Sequence, residues 1–75
     1  MNHLKYLKAT RKKKKFMQGR IVAWCPDVSA GVIRVAGGKQ YLFPETEWRN
    51  PQPPAKNMVV AFETYSRQAL NVCAA

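Results

Sequence analysis

The sequence predicts an all-β protein: a five-stranded antiparallel barrel preceded by a basic N-terminal arm. Three observations lead there. Five short runs rich in Val, Ile and aromatic residues follow one another between Gly19 and Cys73, and such residues fit a pleated, half-buried surface. Gly, Pro, Asp and Ser cluster between the runs, where the chain must turn. Residues 1–18 hold seven of the thirteen Lys and Arg and no acid, so the net charge of +9 sits mostly ahead of the first run.

The arm comes first. Over Met1–Lys15, Leu4 and Leu7 stand one helical turn apart, and little else there is apolar. A short frayed helix followed by a disordered stretch is expected, because Arg11, Lys12, Lys13, Lys14 and Lys15 repel one another. Five adjacent cations suit a polyanion such as nucleic acid, the ribosome or an acidic membrane; a solvated tail is the plainer alternative. With only Leu4 and Leu7 to insert, a membrane partner is the least expected of these.

The body is organised around Gly19–Val35. Arg20–Cys25 and Gly31–Val35 read as strands, separated by Pro26, Asp27, Ser29 and Ala30 as a loop. In the second strand, alternation turns Gly31, Ile33 and Val35 one way and Val32 and Arg34 the other. Ala36-Gly37-Gly38-Lys39 is a tight turn. Gln40–Phe43 is the third strand, closed by Pro44. Glu45–Lys56 contains Pro51, Pro53 and Pro54 and reads as a polar loop. Asn57–Thr64 is the fourth strand, with Met58, Val60 and Phe62 on one face. Gln68–Cys73 is the fifth, with Ala69, Asn71 and Cys73 opposite Gln68, Leu70 and Val72. Five strands with one long connection between the third and fourth suggest an OB-type barrel, with an SH3-like barrel as the alternative. The division is residues 1–18 as arm and 19–75 as barrel.

Several classes are excluded on chemical grounds. Seventy-five residues leave little room for a deep cleft and its supporting shell. His3 stands alone in the arm, and the four acids form no evident acid–base pair, so no catalytic set, metal site or cofactor motif is expected. Cys25 and Cys73 lack metal-ligand spacing and read as small buried residues on strands. No apolar run follows the basic N-terminus or approaches a membrane span, which makes a reducing cytoplasm the expected location.

From Met17 to Ala74 the chain resembles a cold-shock domain. Gly19–Ile33 lines up without gaps with that family's first hairpin, whose Lys-Gly-Phe-Gly-Phe-Ile motif is here Val28-Ser29-Ala30-Gly31-Val32-Ile33. The family's Val-Phe-Val-His motif falls on Tyr41-Leu42-Phe43-Pro44. Val60-Ala61-Phe62-Glu63 is similar to its Val-Ser-Phe strand, and Ala69-Leu70-Asn71-Val72 to its closing Ala-x-Asn-Val. The resemblance implies an OB fold that binds single-stranded RNA or DNA by stacking bases on outward aromatics. Those platform positions here are Ala23, Ala30, Val32, Leu42 and Pro44. The inward positions Ile21, Ile33, Tyr41, Phe43, Val60 and Phe62 stay apolar.

Two functions follow as expectations. One is a nucleic-acid-binding module in which Arg11–Lys15, Arg20, Trp24, Arg34 and Lys39 supply the contacts; Trp24 either stacks a base or packs under the barrel rim. The other is an adaptor or regulator whose barrel docks on a protein assembly such as the ribosome or RNA polymerase while the arm grips nucleic acid. Its contact face would be Ala23, Ala30, Val32 and Leu42, with Trp48 either joining that face or covering the barrel end.

Overall fold

In a computed structural model, the structure describes residues 15–75. Residues 1–14 of the expected arm (1–18), with nearly all of its expected helix, lie outside the described residues, while residues 15–18 belong to the first strand. The described chain is all-β apart from one 3-10 turn. Its strands are β1 (Lys15–Cys25), β2 (Ala30–Arg34), β3 (Gln40–Pro44), β4 (Val59–Tyr65) and β5 (Gln68–Ala74), with the 3-10 turn at Glu45–Glu47. They close into a barrel in the order β1-β2-β3-β5-β4.

β1 starts five residues before the expected strand, and it closes the ring by pairing with a different strand along each half. Its first half pairs with β4, from Lys15 opposite Thr64 to Arg20 opposite Val59. Its second half pairs with β2, from Arg20 opposite Arg34 to Cys25 opposite Ala30. The basic run hides this start in the sequence, yet Met17 already packs against the core.

The expectation of a wholly antiparallel barrel is corrected. β3 and β5 run parallel, meeting at Leu42 and Gln68. A closed ring of five strands cannot alternate direction at every junction, because five is odd, so one neighbouring pair has to run parallel. The long connection before β4 makes that pair β3 and β5.

The expected interior is found. Ile21, Ile33, Tyr41, Phe43, Val60 and Phe62 are all buried, joined by Val35, Ala69 and Val72. Two bulges decide which further residues point inward. Ile21 faces Ile33, but Ala23 rather than Val22 faces Val32. The extra residue resets the alternation, turning Trp24 toward the core and Cys25 outward. In β5, Ala61 faces Cys73 while Glu63 faces Leu70, so Asn71 and Val72 together oppose Phe62. Asn71 takes the left-handed conformation there (φ 51°), which a short polar side chain tolerates best after glycine. The expected grouping of Ala69 with Asn71 and Cys73 is therefore corrected: Ala69 and Val72 are the buried pair. The expectation of buried cysteines is corrected as well, since Cys25 is exposed and Cys73 only half-buried.

Polar bonds hold the 3-10 turn and the segment after it against the β5 bulge. The Asn71 N–H donates to Glu47 Oε1 at 2.9 Å, and Arg49 Nε donates to Asn71 Oδ1 at 3.2 Å. The Arg49 N–H donates to the Val72 carbonyl at 2.8 Å, and Arg49 also pairs with Glu47 at 3.5 Å. These bonds carry Trp48 into a short parallel bridge with Val72 and over Phe43.

Gly31 sits under that aromatic group. A Cβ there would lie 2.5 Å from Phe43 Cε1 and 3.0 Å from Trp24 Cε3. Gly31→Ala is expected to destabilise the fold by about 1–3 kcal/mol through overpacking, measured by urea denaturation. Unchanged stability would mean that the rings are not seated on the Gly31 backbone.

Candidate functional site

The outer face of β1, β2 and β3 carries three cross-strand rows. Arg20, Arg34 and Gln40 form the first; Ala23, Val32 and Leu42 the second; Cys25, Ala30 and Pro44 the third. Four of the expected protein-contact residues are thereby brought onto one face. The strip is apolar, and Leu42 is 60% exposed on it. Trp48 does not belong to this face.

The first row is costly to fold. Like charges directly opposite one another on an antiparallel pair are destabilising, and Arg20 lies directly opposite Arg34. The two guanidinium groups bond to different sides. Arg20 Nη1 donates to the Asn57 carbonyl at 3.2 Å. With the Gln40 amide oxygen turned toward Arg34, Arg34 Nη2 and Nε donate to it at 2.8 and 3.2 Å.

These arginines line the first of three adjoining grooves. The first, between Arg20 and Arg34, runs into a second at Val35 and Ala36. The second holds Lys15 and Lys39 and meets a third at Lys39, Tyr41 and Ser66, where Arg67 stands. Five cations line this track and no acid does. Three of the four acids lie away from the track, and the fourth, Glu63, stands opposite Phe16 at the border of the second groove. Asp27 is in the β1–β2 loop and Glu45 and Glu47 are in the 3-10 turn, which is bonded to that loop through the Glu45 N–H and the Ser29 carbonyl at 2.8 Å. Glu63 accepts a bond from Asn71 Nδ2 at 3.4 Å on the outside of β4.

Lys39 reaches the track through its turn. The Val35 N–H donates to the Lys39 carbonyl at 3.0 Å, and the Gly38 N–H to the Val35 carbonyl at 3.0 Å. Gly37 and Gly38 both have φ of 96°, a conformation open to glycine without steric cost. Lys15 opens β1, so the residues before it, Arg11, Lys12, Lys13 and Lys14, join the chain at this end of the barrel; they lie outside the described residues.

Trp24 takes the packing alternative. Its ring stacks on Phe43 with centroids 5.8 Å apart and planes 20° apart, on the opposite side of the strand from Arg20. Trp48 covers the same ring at 6.1 Å, and its Nε1 donates to the Gln52 carbonyl at 2.6 Å. Both tryptophans border a depression with Glu45 and the proline loop, away from the cationic track.

Two residues of the track escaped the sequence reading. Arg67 looked like an ordinary turn residue, and only the parallel β3–β5 junction brings it beside Lys39. Phe16 was hidden behind the basic run, although an aromatic directly after five cations was a signal in plain sight. Among the described residues, no group of three or more His, Cys, Asp or Glu side chains is arranged to hold a metal ion. No helix of the described residues is long and apolar enough to cross a membrane. Compared with protein-family models and with curated proteins, the chain matches none.

Trp24→Ala is expected to cost roughly 2–3 kcal/mol of stability, less than the about 3–5 of a fully buried ring, read from urea denaturation. A variant as stable as the parent would return Trp24 to the list of ligand-facing residues.

Proposed function

We propose that this protein is a cold-shock-like OB-type module that binds single-stranded RNA or DNA chiefly through its phosphates. The observation that carries the reading is the acid-free track of Arg20, Arg34, Lys15, Lys39 and Arg67, which meets the arm at Lys15. Lys and Arg neutralise phosphates without reading sequence. The five-strand order with one long connection supports the OB-type assignment, and the quoted motifs support the cold-shock likeness. The platform face holds alanine, valine, leucine and proline, so stacking there contributes little.

Binding is expected to be nearly independent of sequence and steeply dependent on salt, with a log–log slope of about −0.7 for each phosphate neutralised. Replacing Arg11, Lys12, Lys13 and Lys14 together with glutamine in the full chain is expected to weaken binding and flatten that slope. Fluorescence anisotropy with a labelled oligonucleotide at several salt concentrations measures both. A variant with unchanged affinity and slope would remove the arm from the interface.

A second reading is favoured by the apolar rows. A strip holding Ala23, Ala30, Val32 and Leu42 beside Arg20 and Arg34 suits a docking face on a protein assembly such as the ribosome or RNA polymerase. The double change Ala30→Phe and Val32→Phe separates the two. It sets two rings on alternate outward positions of β2, where each stacked base is worth about 1–3 kcal/mol. Oligonucleotide binding is expected to tighten by at least about tenfold, with little change in salt slope, while a protein complex through this strip would weaken. Unchanged oligonucleotide affinity in the folded double variant would mean that this face does not meet the strand.

A further inference from the structure

The second groove of the track has an aromatic residue on its border that neither reading uses. Phe16 is the most exposed large apolar side chain of the described residues, at 79%. It lies on β1 between Lys15 and Met17, opposite Glu63 on β4. Met17 packs against the core, and strand alternation sends Phe16 the other way. Nothing in the barrel requires a large apolar side chain at a position so open to water. The groove it borders, of about 670 Å³, also holds Lys15 and Lys39, with Arg67 in the next groove. The Glu63 carboxylate opposite Phe16 is engaged by Asn71.

We infer that Phe16 is a base-stacking platform, and that it holds a base of the single strand where β1 begins. This inference rests on the nucleic-acid reading above and adds to it the place of the base. Cations within the same groove and its neighbour bind the phosphates on either side of a nucleotide whose base lies on the Phe16 ring. Aromatic rings accept any base, because every base has a π-face. The pairing of an open ring with flanking cations therefore suits a strand of any sequence. An apolar partner protein would gain from Phe16 but not from a groove lined with Lys15 and Lys39.

The test uses the full chain and a labelled oligothymidylate of about ten nucleotides. Phe16→Ala is expected to weaken binding by about 5- to 150-fold while leaving the salt slope unchanged. Phe16→Trp is expected to bind at least as well as the parent, and Phe16→Leu to stay weak, since it keeps apolar bulk without a π-face. Arg67→Gln is expected to weaken binding with a slope flatter by about 0.7. Thermal melting checks that each variant is folded, which the exposure of Phe16 favours. If the parent binds and Phe16→Ala or Phe16→Leu binds equally well, the platform is refuted and the nucleic-acid reading stands. If the parent does not bind the oligonucleotide, both fall. Phe16-dependent binding to vesicles of phosphatidylserine and phosphatidylcholine, without oligonucleotide binding, would reassign the ring to a membrane surface.

Discussion

The seating of Phe43 on the bare backbone of Gly31 is the packing constraint on which this barrel depends. Phe43 has no accessible surface, and its ring occupies the space that a side chain on β2 would need. Trp24 stacks on it from β1 and Trp48 covers it from the segment after the 3-10 turn. Three stretches distant in sequence thus meet on one ring. Aromatic pairs at such separations add about 0.5–1.5 kcal/mol beyond the area they bury. For a domain this small, whose core is close to the minimum that folds alone, that is a large share of the margin. It also explains why the chain has an inward Trp24: the β1 bulge turns that side chain toward Phe43 and leaves Ala23 and Cys25 outside.

At the other end, Tyr41 and Phe62 meet at 5.5 Å, and the surface around them is cationic. The barrel is therefore polarised. Asp27, Glu45 and Glu47 gather near the aromatic end, where Arg49 offsets Glu47. The track from Arg20 to Arg67 has no acid along it. Folding alone does not favour such a distribution, because like charges gathered on a small body repel. An external polyanion removes the repulsion, which is the physical ground for the proposed function. In the proposed function, affinity would come from counterion release, with stacking as a local addition.

Much of this was legible in the sequence, for a simple reason. Strand periodicity and turn chemistry are local. Val60 and Phe62, or Ile33 and Val35, declare their shared face through two-residue spacing, and Gly37-Gly38 declares its turn through conformational freedom. The apolar strip was legible too, because Ala30, Val32 and Leu42 alternate with core residues on short regular strands. Composition exposed the charge asymmetry between the arm and the body.

What the sequence could not determine depends on counts and closures that are not local. An extra residue in a strand shifts every later side chain to the other face, and nothing at Val22 or Asn71 announces a bulge until the partner strand is in register. That is why Cys25 was expected inside and why Val72 was separated from Ala69. The parallel β3–β5 junction follows from closing an odd number of strands. It alone sets Lys39 beside Arg67, residues with no relation along the chain. The sequence by itself determined which residues are apolar, which turn, and how much charge there is. Only the tertiary structure decided how that charge is arranged, because closing the ring brings strand ends together.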